Sequence, residues 1–287
     1  MKPFLGFDLT ENKNNYQANG AEFLCCTPSE AMMQTLLSSE EKADQTVTKA
    51  QLPLFLQIIQ WVCGGVGALM FLGIGKGVFS MEEISFQQAY QNAPWAFWVG
   101  GCCLAVWAVL KLIGRAKAKT VLESDEGSHH LSRLAATQNS VYAELAVPST
   151  AKDVDILSFC YRMKDDQIKL CERTMQLYSH QNPSFKVFTD EENLYLANLD
   201  GKYAFPLSAL QTIRTQDKKV RTAGWNKDVP PTKGIYKPYK MTTDQFGCVH
   251  SKPHYVLEVM LEGELWGIYF PCYELPVFEE LTGLKAQ

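Results

Sequence analysis

The run LFLQIIQWVCGGVGALMFLGIG, residues 54–75, decides the fold. It carries no charged residue, and only Gln57 and Gln60 are strongly polar. Coiled as an α-helix at about 1.5 Å per residue, it would be about 33 Å long. That is enough to cross a bilayer core of about 30 Å. A second run, PWAFWVGGCCLAVWAVLKLI at residues 94–113, has the same character. Its one charge, Lys111, lies a turn from the end, where a lysine can snorkel to water. Trp61, Trp95 and Trp98 lie near the ends of the runs, where interfacial aromatics belong. Both runs are apolar all round rather than striped, which separates them from ordinary core helices.

Lysine and arginine bias sets the expected orientation. The connecting stretch, residues 76–93, holds one base, Lys76, and two acids, Glu82 and Glu83. Lys42 and Lys49 precede the first run, and Lys111, Arg115, Lys117 and Lys119 close the second. Positive flanks stay on the cytosolic side. The expectation is a protein of the cell membrane with two spans, both termini cytosolic and a short external loop. Small residues recur at helical spacing: Gly64 with Ala68, Cys63 with Gly67, Gly101 with Ala105. Such faces let helix backbones approach closely in lipid. Neither span holds an acid or a histidine, so nothing in them points to a conduction path.

The rest of the chain reads as water-facing. Net charge is −4 over 287 residues, which does not suit a general polyanion binder, and no nucleic-acid partner is expected. The nine cysteines are odd in number, include the adjacent pairs Cys25–Cys26 and Cys102–Cys103, and form no CxxC. Reduced thiols fit this better than a disulfide framework. The first 30 residues lack the apolar core of a signal peptide. Two short alternating runs, PFLGFDLT and AEFLCCT, predict strands, and residues 28–50 predict a helix capped by Thr27 or Ser29. After the spans, Leu131, Leu134, Gln138, Val141 and Leu145 recur at spacings of three and four, which predicts a helix over about 128–146.

From residue 154 the period changes to two. VDILSFCYRM and QIKLCERTMQLY flank a turn, as do FKVFTD and NLYLANL. DGK at 200–202 leads into YAFPL, and EGE joins HYVLEVML to LWGIYFP. Such hairpins predict an antiparallel meander that closes as a β-sandwich or barrel. Leu275, Phe278, Leu281 and Leu284 predict a C-terminal helix lying over it. The fold class is therefore α+β: a transmembrane hairpin with a cytosolic antiparallel β domain. The expected divisions are 1–51 (strands and helix), 52–113 (hairpin), 114–150 (linker and amphipathic helix) and 151–287 (β domain).

Two passages carry a resemblance. FKVFTDEENLYLANLDGKYAFPLSALQTI and GELWGIYFPCYELPVFEEL resemble the sheet passage and the closing strand and helix of the bacterial PH-like membrane proteins of the YcxB-like group. That group places two transmembrane helices before a C-terminal PH-like domain, the order found here. The resemblance covers about residues 50–113 and 154–284 and implies a PH-like fold. It implies little about activity.

No catalytic signature is present: no GxSxG, P-loop, GxGxxG or HExxH. Cys248, His250 and His254, with Cys272, have a metal-like spacing, but Lys252 and Pro253 interrupt it and no second ordered pair supports zinc. No metal, cofactor or catalytic residue is assigned, and the chain is not expected to be an enzyme. Charge is concentrated in one place instead. Between residues 214 and 240, eight bases face only Asp217 and Asp228, a local charge of +6. The candidate lipid- or partner-binding residues are Arg214, Lys218, Lys219, Arg221, Trp225, Lys227, Lys233, Tyr236, Lys237, Tyr239 and Lys240. A solvated basic loop would look the same in sequence. Beside a cytosolic membrane face, however, each close base attracts anionic lipid by roughly 1 kcal/mol. The expected function is a non-enzymatic membrane-anchored scaffold or binding module that contacts anionic headgroups or a partner protein. The alternative is a structural subunit of an oligomeric membrane complex, whether a homo-oligomer or an assembly with a partner membrane protein. A metal-dependent enzyme ranks third.

Overall fold

A computed structural model of the chain describes residues 1–8, 17–80, 86–165, 167–177, 185–217, 220–222, 242–243, 249–251 and 253–287. The elements, in chain order, are β1 (Lys2–Pro3), β2 (Leu5–Asp8), β3 (Gln17–Ala18), β4 (Leu24–Cys26), α1 (Glu30–Ala50), α2 (Leu54–Ser80), α3 (Phe86–Asn92), α4 (Pro94–Leu122), α5 (Asp125–Glu144), β5 (Lys152–Val154), β6 (Leu157–Lys164), β7 (Gln167–Leu177), β8 (Phe185–Thr189), β9 (Asn193–Ala197), β10 (Lys202–Pro206), β11 (Leu210–Gln216), β12 (Val220–Thr222), β13 (Thr242–Thr243), β14 (Val249–Ser251), β15 (His254–Leu261), β16 (Glu264–Pro271) and α6 (Leu275–Thr282). The result is an α+β fold. Its residues divide into two compact units, one of residues 1–33 with 138–287, the other of residues 34–137.

In the first unit the expected hairpins form: β6–β7, β8–β9, β9–β10 and β15–β16 are antiparallel pairs. Side chains set the turns. The Asp190 carboxylate accepts the Glu192 and Asn193 N–H groups at 2.9 and 2.7 Å, an Asx turn that reverses the chain between β8 and β9. Asn198 does the same for Asp200 and Gly201, both at 3.0 Å, between β9 and β10. Glu262 and Gly263 at the β15–β16 turn take positive φ of 50° and 81°, the backbone that a two-residue hairpin turn requires.

Two expectations are corrected here. The larger sheet, ordered β11-β15-β16-β6-β2-β3 with β1 on β16 and β7 on β6, is mixed rather than antiparallel. β1 runs parallel to β16, and β2 runs parallel to β6. The sequence reading set residues 1–51 apart from the β domain. The N-terminal strands instead supply edges to its sheets: β4 joins β10 in the second sheet, β4-β10-β9-β8-β5. A short strand has many unpaired backbone groups, and the sheet edges offer them partners. A third small sheet is ordered β12-β14-β13.

Side chains from both larger sheets share one core. Phe4, Phe185, Phe205, Phe270 and Phe278 are all completely or almost completely buried in it. Phe278 brings α6 onto the sheet, its ring stacked on Phe270 at 4.0 Å, and Leu275, Leu281 and Leu284 pack around it. The helix ends at Gly283, whose φ of 71° is the left-handed C-cap that glycine favours. The final residues then pair with β11 through reciprocal backbone bonds between Gln287 and Ile213 or Thr215, each 2.9 Å.

The second unit is helical. Ser29 Oγ accepts the Met32 N–H at 3.3 Å at the start of α1, as the sequence proposed for its cap. Leu36, Ser39, Ala43, Thr46 and Ala50 form a buried stripe on α1. Ser39 meets Thr137 at 3.3 Å, and Thr46 meets His130 at 3.1 Å, so α1 and α5 run antiparallel. Both apolar runs become helices longer than expected, reaching Ser80 and Leu122. Beyond residue 113 α4 continues through GRAKAKTVL, because Ala, Lys and Arg are good helix formers. Only Glu123 and Ser124 separate it from α5, and Ser124 Oγ caps α5 by accepting the Gly127 N–H at 3.0 Å. A Cβ on Gly127 would lie 2.1 Å from the Val121 carbonyl oxygen, so only glycine fits this tight join.

Candidate functional site

Of the basic run 214–240, residues 214–217 and 220–222 are described. Arg214 sits on β11, and its guanidinium grips the Glu258 carboxylate of β15 with two contacts, Nε to Oε1 at 2.8 Å and a terminal nitrogen to Oε2 at 3.1 Å. Glu258 is nearly buried, so Arg214 is committed to the sheet. Arg221 lies on β12, in register with His250 of β14. Lys218, Lys219, Trp225, Lys227, Lys233, Tyr236, Lys237, Tyr239 and Lys240 lie outside the described residues.

Cys248, His250, His254 and Cys272 carry the metal-like spacing. Cys248 lies outside the described residues, and His254 and Cys272 are buried. Among the described residues no three His, Cys, Asp or Glu side chains converge as a metal site. Burial pushes the Cys272 thiol up to about 11, which keeps it protonated at neutral pH. Nearby, the Tyr273 hydroxyl donates to Asp155 Oδ2 at 2.7 Å, and the Asp155 N–H donates to Glu274 Oε1 at 2.9 Å. Burial first, then the Asp155 charge, holds the Tyr273 hydroxyl well above its usual range. These satisfied bonds tie the turn before α6 to the segment between β5 and β6.

The helical unit offers more. α2 and α4 form an antiparallel hairpin joined through glycines. Cβ atoms built on Gly64 and Gly67 would fall 2.7 Å from Trp107 and Leu104, and one on Gly100 would fall 3.1 Å from Met70 and Phe71. The expected Gly101–Ala105 face is not used in the hairpin: Gly101 has open space around it and Ala105 is exposed. Leu54, Phe55, Ile58, Trp61, Leu69 and Leu72 on α2, with Trp95, Trp98, Val109 and Leu112 on α4, all point outward. In the most apolar stretches of the two helices only 6% and 11% of residues are buried. Both helices are long and apolar enough to cross a membrane.

Where α2 begins and α4 leaves its apolar stretch there is a cavity of about 610 Å³. Gly114 of α4 lies against Leu52 there, 3.2 Å from a built Cβ. Lys111 and Arg115, one turn apart on α4, line it together with Gln57 and Gln60 of α2, and no acid does. The Lys111 ammonium rests over the Trp107 ring at 4.6 Å. The Gln57 amide donates to the Leu52 carbonyl at 2.7 Å, and Lys117 donates to the Gln51 carbonyl at 2.6 Å, so the chain entering α2 is pinned. In the sequence Lys111 and Arg115 mark the polar end and the positive flank of the second span. The signal that could have found the cavity is their i, i+4 spacing opposite Gln57 and Gln60 at i, i+3 in an antiparallel pair.

No family model matches this chain, and no curated protein or solved structure matches it either.

Proposed function

We propose that the protein is a non-enzymatic, membrane-anchored binding module. α2 and α4 cross the bilayer as a hairpin with their basic flanks inside, and the β unit works at the cytosolic face. One observation carries this reading: the apolar side chains of two long helices point outward, where in water they would expose a patch far larger than a soluble monomer keeps. Antiparallel hairpins in two sheets around one core, closed by α6, support a PH-like reading of the β unit. The bases from Lys218 to Lys240 would then engage anionic headgroups or an acidic partner surface. Amine-labelling of the full chain in nanodiscs tests this. Lys218 to Lys240 should be protected in phosphatidylglycerol, less so in phosphatidylcholine, and less again at high salt. Protection indifferent to both lipid and salt would remove the lipid reading.

A second reading, a subunit of an oligomeric membrane complex, is favoured by the outward Gly101–Ala105 face and by open Gly65. Small residues left facing lipid are where another helix can approach closely.

A further inference from the structure

We propose that the cavity between the first turns of α2 and the polar end of α4's apolar stretch binds the phosphate group of an anionic glycerophospholipid. This rests on the reading that α2 and α4 cross the bilayer.

The charges argue for an anion. Lys111 and Arg115 both line one cavity, and no carboxylate does. Neither forms an ion pair among the described residues, and Arg115 engages no partner there at all. The acid of α5 that approaches a base in this unit, Glu126, lies 3.9 Å from Lys49 instead. Two like charges sharing a cavity repel, and at the low dielectric of a membrane boundary that repulsion is larger than in water. A phosphate diester relieves it. Arg offers a planar fork to phosphate oxygens, and Lys a compact charge beside it.

Depth argues for a lipid rather than a solute. Gln57 and Gln60 lie in the first two turns of α2, within about 10 Å of its start at 1.5 Å per residue. Lys111 and Arg115 stand opposite, where the uncharged run of α4 ends. That is the level of the headgroup phosphates if the helices span. Gln60 makes no hydrogen bond among the described residues, leaving an amide free for a glycerol or ester oxygen. Val47, Leu52, Trp61 and Leu122 complete the walls. These surfaces suit the first carbons of an acyl chain and do little for inorganic phosphate. The volume lies within the range of small-molecule sites.

Native mass spectrometry of the full chain in detergent, titrated with phosphatidylglycerol or phosphatidylcholine, tests the site. One phosphatidylglycerol should be retained in preference to phosphatidylcholine. The double variant K111Q/R115Q should lose about thirtyfold in affinity. K111R/R115K should keep it, which separates lost charge from lost fold. K42Q/K119Q, which removes two bases outside the cavity, should bind like the parent. Equal retention of both lipids, or equal loss in K42Q/K119Q, overturns the site. Glycerol phosphate binding as tightly as the lipid overturns the lipid as its source. Carbonate extraction of the parent chain from membranes separates the two claims. Release from the membrane defeats the spanning reading, whereas retention without lipid preference defeats only the site.

Discussion

Arg214 and Glu258 hold each other across β11 and β15 in a two-point contact of 2.8 and 3.1 Å. The strongest-looking base at the head of the basic run is therefore a strut of the sheet. Removing it leaves a nearly buried carboxylate without its cation, which costs more than an exposed pair is worth. R214A should destabilise the β unit by about 1–3 kcal/mol, read as a lower denaturant midpoint with an unchanged slope. R214A/E258Q should recover part of that loss. A full-sized loss in the double variant would show that the pair is not the cause.

High pH should unfold the β unit through its tyrosines. Burial, reinforced by the Asp200 charge, pushes Tyr203 up to about 12. Tyr142, Tyr269 and Tyr273 are raised too, each by burial first. In the unfolded chain a tyrosine ionises near 10. Below that pH both states are neutral, and these groups give no pH dependence. Above it the folded state holds more protons, so stability falls as pH rises past about 10. Absorbance at 295 nm should show a fraction of the 12 tyrosines lagging until the fold is lost. All of them ionising together in the native protein would contradict the burial.

Acid should act on the turn that starts β9. The Tyr195 hydroxyl, then the N–H groups of Glu192 and Asn193, hold the Asp190 carboxyl below its usual range. A carboxyl depressed in the folded state stabilises above its unfolded pKa and loses that contribution as pH falls through the folded value. D190N keeps the acceptor for the turn but removes the charge. It should flatten the acid limb of the stability profile below about pH 4, whereas D190A should also lower stability at neutral pH. Identical profiles for D190N and the parent would discount the carboxylate.

The β hairpins and both long helices were legible because their signals are local: period two around turn residues, and uncharged runs longer than a bilayer is thick. What was not legible depends on partners far along the chain. Nothing in PFLGFDLT names β16 and β6 as its parallel neighbours, because strand pairing is a property of the closed sheet. A count of bases cannot see that Glu258, 44 residues away, neutralises Arg214. Gly100 and Gly101 are equivalent to a spacing rule, yet the rotation of α4 turns one into the hairpin and the other out of it. The cavity needed the antiparallel register of two helices before Gln57 and Gln60 could be set opposite Lys111 and Arg115.

That rotation of α4 makes a pair of substitutions informative. At Gly67 a side chain collides with Leu104, and at Gly100 with Met70 and Phe71. G67L or G100L should push the helices apart and lower the thermal midpoint of the detergent-solubilised chain by several degrees, since overpacking costs about 1–3 kcal/mol. G101L meets nothing within 4 Å and should leave that midpoint alone. If the chain assembles through its outward small face, G101L should instead shift its size by light scattering. A monomeric parent unaffected by G101L would speak against the oligomeric reading.

Two thiols offer the most direct measure of the hairpin. The half-buried Cys63 and Cys103 side chains interact across α2 and α4, while neighbouring Cys102 is exposed. Successive residues on a helix point about 100° apart, so a register that brings Cys103 to Cys63 turns Cys102 away. Mild oxidation of the full chain in detergent should join Cys63 to Cys103. Peptide mapping should then recover that link in preference to Cys63–Cys102. C103S should abolish it, and C102S should not. A predominant Cys63–Cys102 link would mean that α4 is rotated by a quarter turn or more. Gly100 would then leave the interface, and Lys111 and Arg115 would no longer share the cavity with Gln60.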